Sequence, residues 1–197
     1  METSPTSPQE VYILDFAAND FASLRTVDER DLDQLLDAFD GTPMGTTWTP
    51  VRMSWETEGG TRPLSDFSTI GGGGLVLSGP ALEVLDDLLV GRGELLPLDV
   101  TGGEEYYVFN VTRLSEALDE EESELVYFES SGRLMAIERF EFDPDSLVGE
   151  TVFKLAQKPK GHEYVTDAFR RRVEEGGLTG FVWDRRVWGP TQAVRRT

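Results

Sequence analysis

The chain has no cysteine, one histidine, three lysines and no long apolar run. Each scarcity closes a class of function. Without cysteine there is no disulfide framework and no thiolate-based metal site. With His162 as the sole imidazole, a zinc site would need three carboxylates beside it, an unusual donor set. A Ser-His-Asp triad would have to use the same residue, and no serine lies in a G-x-S-x-G turn. His162 stands in KPKGHEYV, where an exposed or locally bonded side chain is expected. No stretch approaches the roughly 18–20 apolar residues of a membrane span. The opening METSPTSPQE has neither a basic nor an apolar signal region, so no secretory signal is expected. The expected location is the cytoplasm.

What is present argues for a folded body. Hydrophobic residues make up 39% of 197, with eleven Phe, five Tyr and four Trp, enough for a sizeable core. The expected organisation is a loose tail at 1–9, a single α+β domain over 10–190, and a mobile basic tail at 191–197. Charge is strongly one-sided: 37 acids against 18 Lys and Arg give −19. Residues 1–150 carry 32 acids and 8 bases, whereas 151–197 carry 5 acids and 10 bases. So acidic a body repels phosphate backbones and attracts cationic proteins. Solubility alone is the plain alternative.

Periodicity places the elements. VYILDF (11–16) reads as a strand. Leu32, Leu35, Leu36 and Phe39 share one helix face. TTWTPVRMSWET (46–57) looks extended, with Pro50 at an edge or an entry. The glycine runs within 59–74 lack the Lys-Ser/Thr of a phosphate loop and read as a flexible surface loop. Ser78 or Gly79 caps a helix with Pro80 in its first turn and Leu82, Leu85, Leu88 and Leu89 buried. GRGELLPLDV (91–100) reads as a connector. Strands are expected at 106–112, 125–129, 134–142 and 151–155, with SSGR (130–133) as a hairpin turn. A last helix opens at Thr166-Asp167, buries Phe169 and Val173, and stops at Gly176-Gly177. LTGFVW (178–183) then closes the fold. The rhythm is not a regular βαβ alternation. It predicts α+β, a mixed and mainly antiparallel sheet flanked by a few helices.

The sharpest local feature is EEYYVFNVTRLSEALDEEESELVYFE (104–129), where an aromatic strand runs into an acid knot. Leu114 to Leu118 is expected to form a short helical turn with Leu114, Ala117 and Leu118 inward. Glu116, Asp119, Glu120, Glu121, Glu122 and Glu124 follow as a solvated turn, a cation site or a partner face. The knot lacks EF-hand spacing, and consecutive acids seldom converge on one ion. FDPDS (142–146) reads as a turn. Trp188, near Pro190, is expected to be exposed, and Trp183 to pack in the last strand.

Three stretches, LVLSGPALEVLDDLLVGRGELLPLDV, YYVFNVTRLSEALDEEESEL and TVFKL…EYVTDAFRRRVEEGGLTGFVW, together resemble an immunity-protein family of bacterial polymorphic-toxin systems, the myxobacterial-type domain. The shared pattern comprises Ser78, Leu95 to Pro97, Asn110, Ala117-Leu118-Asp119, Ser123 and Leu178-Thr179-Gly180. It is matched best over 75–183. The resemblance implies a non-enzymatic cytoplasmic protein that binds a cognate toxin encoded beside it, with no catalytic residues; the acidic body points to a basic toxin, and no cofactor or metal is expected. Glu116, Asp119, Glu120, Glu121, Glu122, Glu124 and Trp188 are the candidate contact residues. Two alternatives stand beside it: an acidic nucleic-acid mimic that blocks another basic protein, and a carboxylate- or metal-dependent hydrolase.

Overall fold

The structure, a computed structural model, describes residues 9–36, 38–56, 61–70, 74–183 and 186–188. Residues 1–8 of the expected tail at 1–9, the expected tail at 191–197, and much of both glycine runs, lie outside these residues.

In chain order the elements are β1 Val11–Ile13, β2 Asp15–Phe16, β3 Leu24–Thr26, α1 Glu29–Leu36, a 3-10 turn Gly45–Thr47, β4 Arg52–Trp55, β5 Phe67–Thr69 and β6 Leu75–Ser78. There follow α2 Gly79–Leu89, β7 Gly93–Pro97, β8 Asp99–Val100, β9 Tyr106–Val111, β10 Leu114–Ser115, β11 Glu124–Tyr127 and β12 Leu134–Arg139. The last are β13 Val152–Leu155, β14 Tyr164–Thr166, α3 Asp167–Glu175, β15 Phe181–Val182 and β16 Arg186–Trp188. The fold is α+β and mostly antiparallel. Only β4–β8 and β10–β13 pair in parallel among the described residues.

Two larger sheets organise the core. One has the order β5-β6-β9-β7, the other β10-β13-β14-β1-β16. Strand alternation sends Leu75, Leu77, Phe109 and Val111 to one face of the first sheet, where α2 and α3 add Ala81, Leu85, Leu89, Phe169 and Val173. Val76, Tyr106 and Val108 face the other way, onto Leu24, Leu35, Phe39, Val51 and Met53. The second sheet is likewise covered on both faces. Tyr12, Val152 and Val165 join the helices. Val11, Ile13, Phe153, Leu155 and Tyr164 pack on Ala117, Leu118, Phe142 and Leu147. Burying each such Leu, Val or Phe contributes roughly 1.5–3 kcal/mol.

Helix α2 begins as its sequence predicts. The Ser78 hydroxyl accepts from the Ala81 amide at 3.2 Å and donates to Asp66 at 3.0 Å. Asp66 also accepts from the Thr179 amide at 2.9 Å, so the cap is tied to the segment entering β15. Beside it the Tyr106 hydroxyl donates to the Ser65 carbonyl at 2.7 Å. Burial, with the charges of Asp66 and Glu104, pushes that phenol up to about 12.

Several expectations are corrected. VYILDF divides at Leu14 into β1 and β2, which belong to different sheets. The 46–57 segment starts with the 3-10 turn, and Pro50 marks entry to β4, the middle strand of β3-β4-β8. Within 59–74 lies β5, whose Phe67 is fully buried. Leu32 is exposed on α1. The connector at 91–100 is β7 and β8, and a further strand, β16, follows the expected closing one.

Gly93 explains the missed strand. A Cβ there would lie 2.1 Å from the Asn110 carbonyl oxygen and 2.9 Å from the Phe109 ring. Glycine is needed for close approach of β7 to β9, not to break the chain. Gly93→Ala is expected to destabilise the protein by about 3 kcal/mol, because backbone must move. An unchanged urea midpoint would refute this.

Candidate functional site

The acid knot sits on one long hairpin. At its base the Asp143 amide donates to the Ala117 carbonyl and the Asp119 amide to the Glu141 carbonyl, each at 2.9 Å. Leu118 bridges Phe142 between them. Further out β11 pairs with β12, from Glu124 opposite Arg139 to Tyr127 opposite Leu134. Residues 119–123 bulge from one arm of this hairpin as a turn.

That turn is ordered by its own side chains. Asp119 Oδ1 accepts from the amides of Glu121 at 3.0 Å and Glu122 at 3.1 Å. The Ser123 amide closes on the Asp119 carbonyl at 3.0 Å, and the Ser123 hydroxyl accepts from the Glu141 amide at 3.0 Å. Asp119 is therefore a half-buried turn cap. Glu116, Glu120, Glu121, Glu122 and Glu124 are exposed. Glu120 accepts from Gln157 at 2.9 Å. Arg139 joins Glu124 at 3.0 Å and Glu141 at 2.7 Å, and these carboxylates, Glu124 first, raise its guanidinium further above its ordinary value. A shallow groove of about 570 Å³ runs from Glu116 past Glu120 to Gln157.

Two expectations about this region change. Leu114 and Ser115 form β10, parallel to β13 through Lys154 and Leu155. Strand alternation turns Ser115 inward and leaves Leu114 37% exposed. The helical spacing of Leu114, Ala117 and Leu118 was met by a strand because the pairing partner is some forty residues away. Trp188 is not an exposed anchor. Its indole N–H donates to Glu141 at 3.0 Å and its ring meets Phe142 edge-on at 5.8 Å, so it packs beneath the hairpin. The aromatics that are exposed here, Tyr127 and Phe128, were not among the candidate contacts. Their signal was an aromatic pair one residue before the turn SSGR.

Elsewhere the few cations are engaged in structure. Glu150, nearly fully buried, accepts from Arg92 at 2.6 Å and from Arg113 at 2.5 and 2.8 Å. Lys154, fully buried, meets Glu163 at 2.9 Å and donates to the Phe39 carbonyl at 3.0 Å. Arg172 bridges α3 to Asp87 of α2 at 2.5 and 3.0 Å. Glu94 holds the turn after α1. Burial opposes its ionisation, yet the Met44 amide, the Asn110 side chain and the Gly45 amide prevail and lower its pKa.

Among the described residues no group of three or more His, Cys, Asp or Glu side chains is placed to hold a metal ion. Asp143 caps its own turn, accepting from Ser146 at 2.6 Å and Asp145 at 3.1 Å. His162 lies at the surface. No helix among the described residues is long and apolar enough to cross a membrane.

These features define a class: an acidic α+β protein presenting an ordered, carboxylate-edged hairpin. Residues 18–187 match the immunity protein family Imm11, and the chain belongs to that family. The match extends well upstream of residue 75, so the N-terminal part is included. No curated protein matches the chain.

Proposed function

We propose that this protein neutralises a cognate bacterial toxin in the cytoplasm by direct stoichiometric binding, without catalysis, metal or cofactor. The observation that carries the reading is the uncompensated charge of the hairpin in an immunity-family chain. Residues 116–145 hold eleven acids and two arginines, so 30 residues supply −9 of the net −19. Glu116, Glu120, Glu121, Glu122 and Glu124 are the proposed contacts, with Asp119 holding their turn. A surface of this sign favours a basic toxin, accelerates encounter and disfavours nucleic acid or anionic membrane as the bound species. The whole folded body over 10–190 is proposed to act as one unit.

Co-expression with the toxin domain encoded beside this gene tests the reading. Growth should be restored, and the two chains should elute together at one-to-one stoichiometry. Persistent toxicity, with separate elution, would reject it.

A further inference from the structure

Ten large apolar side chains are exposed among the described residues, and three of them share one hairpin. Tyr127 (47% exposed), Phe128 (48%) and Met135 (42%) gather on the β11–β12 hairpin. Tyr127 and Phe128 are the only exposed aromatics among the described residues. Clustered exposed apolar groups rimmed by charge mark interaction surfaces.

The hairpin is held in place. Leu125 and Ile137 pack on the core beneath it. Lys158 Nζ donates to the Met135 carbonyl at 2.7 Å, tying the outer strand to the 157–160 loop. Its turn closes through the Phe128 amide to Arg133 at 2.9 Å and the Gly132 amide to Phe128 at 2.8 Å, with Gly132 at φ 66°. Little conformational freedom remains to be lost on binding.

We propose that this hairpin is the anchor of the toxin interface: Tyr127 and Phe128 enter an apolar recess on a cationic toxin surface, and Glu121, Glu122, Glu129 and Glu138 pair with the basic rim around it. The inference rests on the immunity reading and names the part of the surface that carries it. The four carboxylates are exposed, and no described cation pairs with them. Charge selects the occupant. A second copy would bring two −9 segments together, and lipid headgroups or nucleic acid would meet the same repulsion. A basic protein is attracted by this acidic segment, although Arg133, Lys158 and Lys160 line the groove beside Tyr127. Aromatic anchors at the centre of an interface usually carry most of its affinity, with charged rims setting the rate of encounter.

The test uses the full chain and a catalytically disabled form of the neighbouring toxin domain. The pair Y127A/F128A should weaken the complex at least about 30-fold, mainly through faster dissociation, while V90A/V148A, more exposed at 72% and 71% and outside this hairpin, changes it less than about threefold. The charge reversal E121K/E122K/E138K, on exposed side chains, should lower the association rate at least tenfold and keeps the test open should Y127A/F128A fail to fold. Wild-type complex formation with both hairpin variants binding normally would overturn the anchor while leaving the immunity reading intact. Absence of any wild-type complex would overturn both. A wild-type dimer in sedimentation that Y127A/F128A dissolves would assign the hairpin to a second copy instead.

Discussion

Lys154→Ala should destabilise the protein by about 3–5 kcal/mol, a large part of the roughly 5–15 kcal/mol that holds a domain folded. The side chain is fully buried in β13, and its ammonium reaches Glu163 at 2.9 Å, the Phe39 carbonyl at 3.0 Å and the Gly161 carbonyl at 3.4 Å. One cation thus ties the five-stranded sheet to the segment after α1 and to the 156–163 loop. Removing it leaves the Glu163 carboxylate buried, with the Gly74 amide at 3.2 Å as its remaining donor among the described residues. The uncompensated charge, more than the lost methylenes, sets the cost. Lys154→Met should therefore lose nearly as much despite keeping the volume, whereas K154M/E163Q should recover most of it. Urea titration of the three proteins measures this. A loss below about 1 kcal/mol for Lys154→Ala would show that the pair contributes little.

Glu150→Ala should cost about 3 kcal/mol. Its carboxylate side chain is 2% exposed and holds two guanidinia, Arg92 before β7 and Arg113 before β10. Its backbone carbonyl also accepts from Thr166 at 3.0 Å, at the start of α3. The expected loss is smaller than at Lys154 because Arg113 is half-exposed and can turn to water once released. Glu150→Gln should lie between, since one amide oxygen can accept from one arginine but carries no charge. If Glu150→Gln proved as damaging as Glu150→Ala, hydrogen bonding without charge would contribute nothing there.

Local chemistry was legible in the sequence; distant pairing was not. Ser78 followed by Pro80 and a leucine stripe specifies α2 whatever surrounds it, and Thr166-Asp167 with Phe169 and Val173 specifies α3. The hairpin at SSGR was equally plain. The strand β7 was hidden because GRGELLPLDV reads as a connector after the helix, and only the carbonyl of Asn110 reveals why Gly93 stands there. β10 was hidden because its two residues pair in parallel with β13, and no local spacing encodes that register. Lys154 left one trace, a lysine inside the otherwise apolar TVFKL, but its partner lies across a loop. At the candidate site the acids were legible and their arrangement was not: Asp119 caps, Glu124 pairs with Arg139, and Trp188 turns inward to Glu141.

The proposed encounter between the hairpin and a cationic toxin is guided by charge. Its most direct test is the association rate of the two proteins measured by stopped flow as ionic strength rises from about 0.01 to 0.5 M, across which the Debye length shrinks from roughly 30 Å to a few ångströms. A fall of at least tenfold, with dissociation nearly constant, is the predicted result. An association rate indifferent to salt would contradict it.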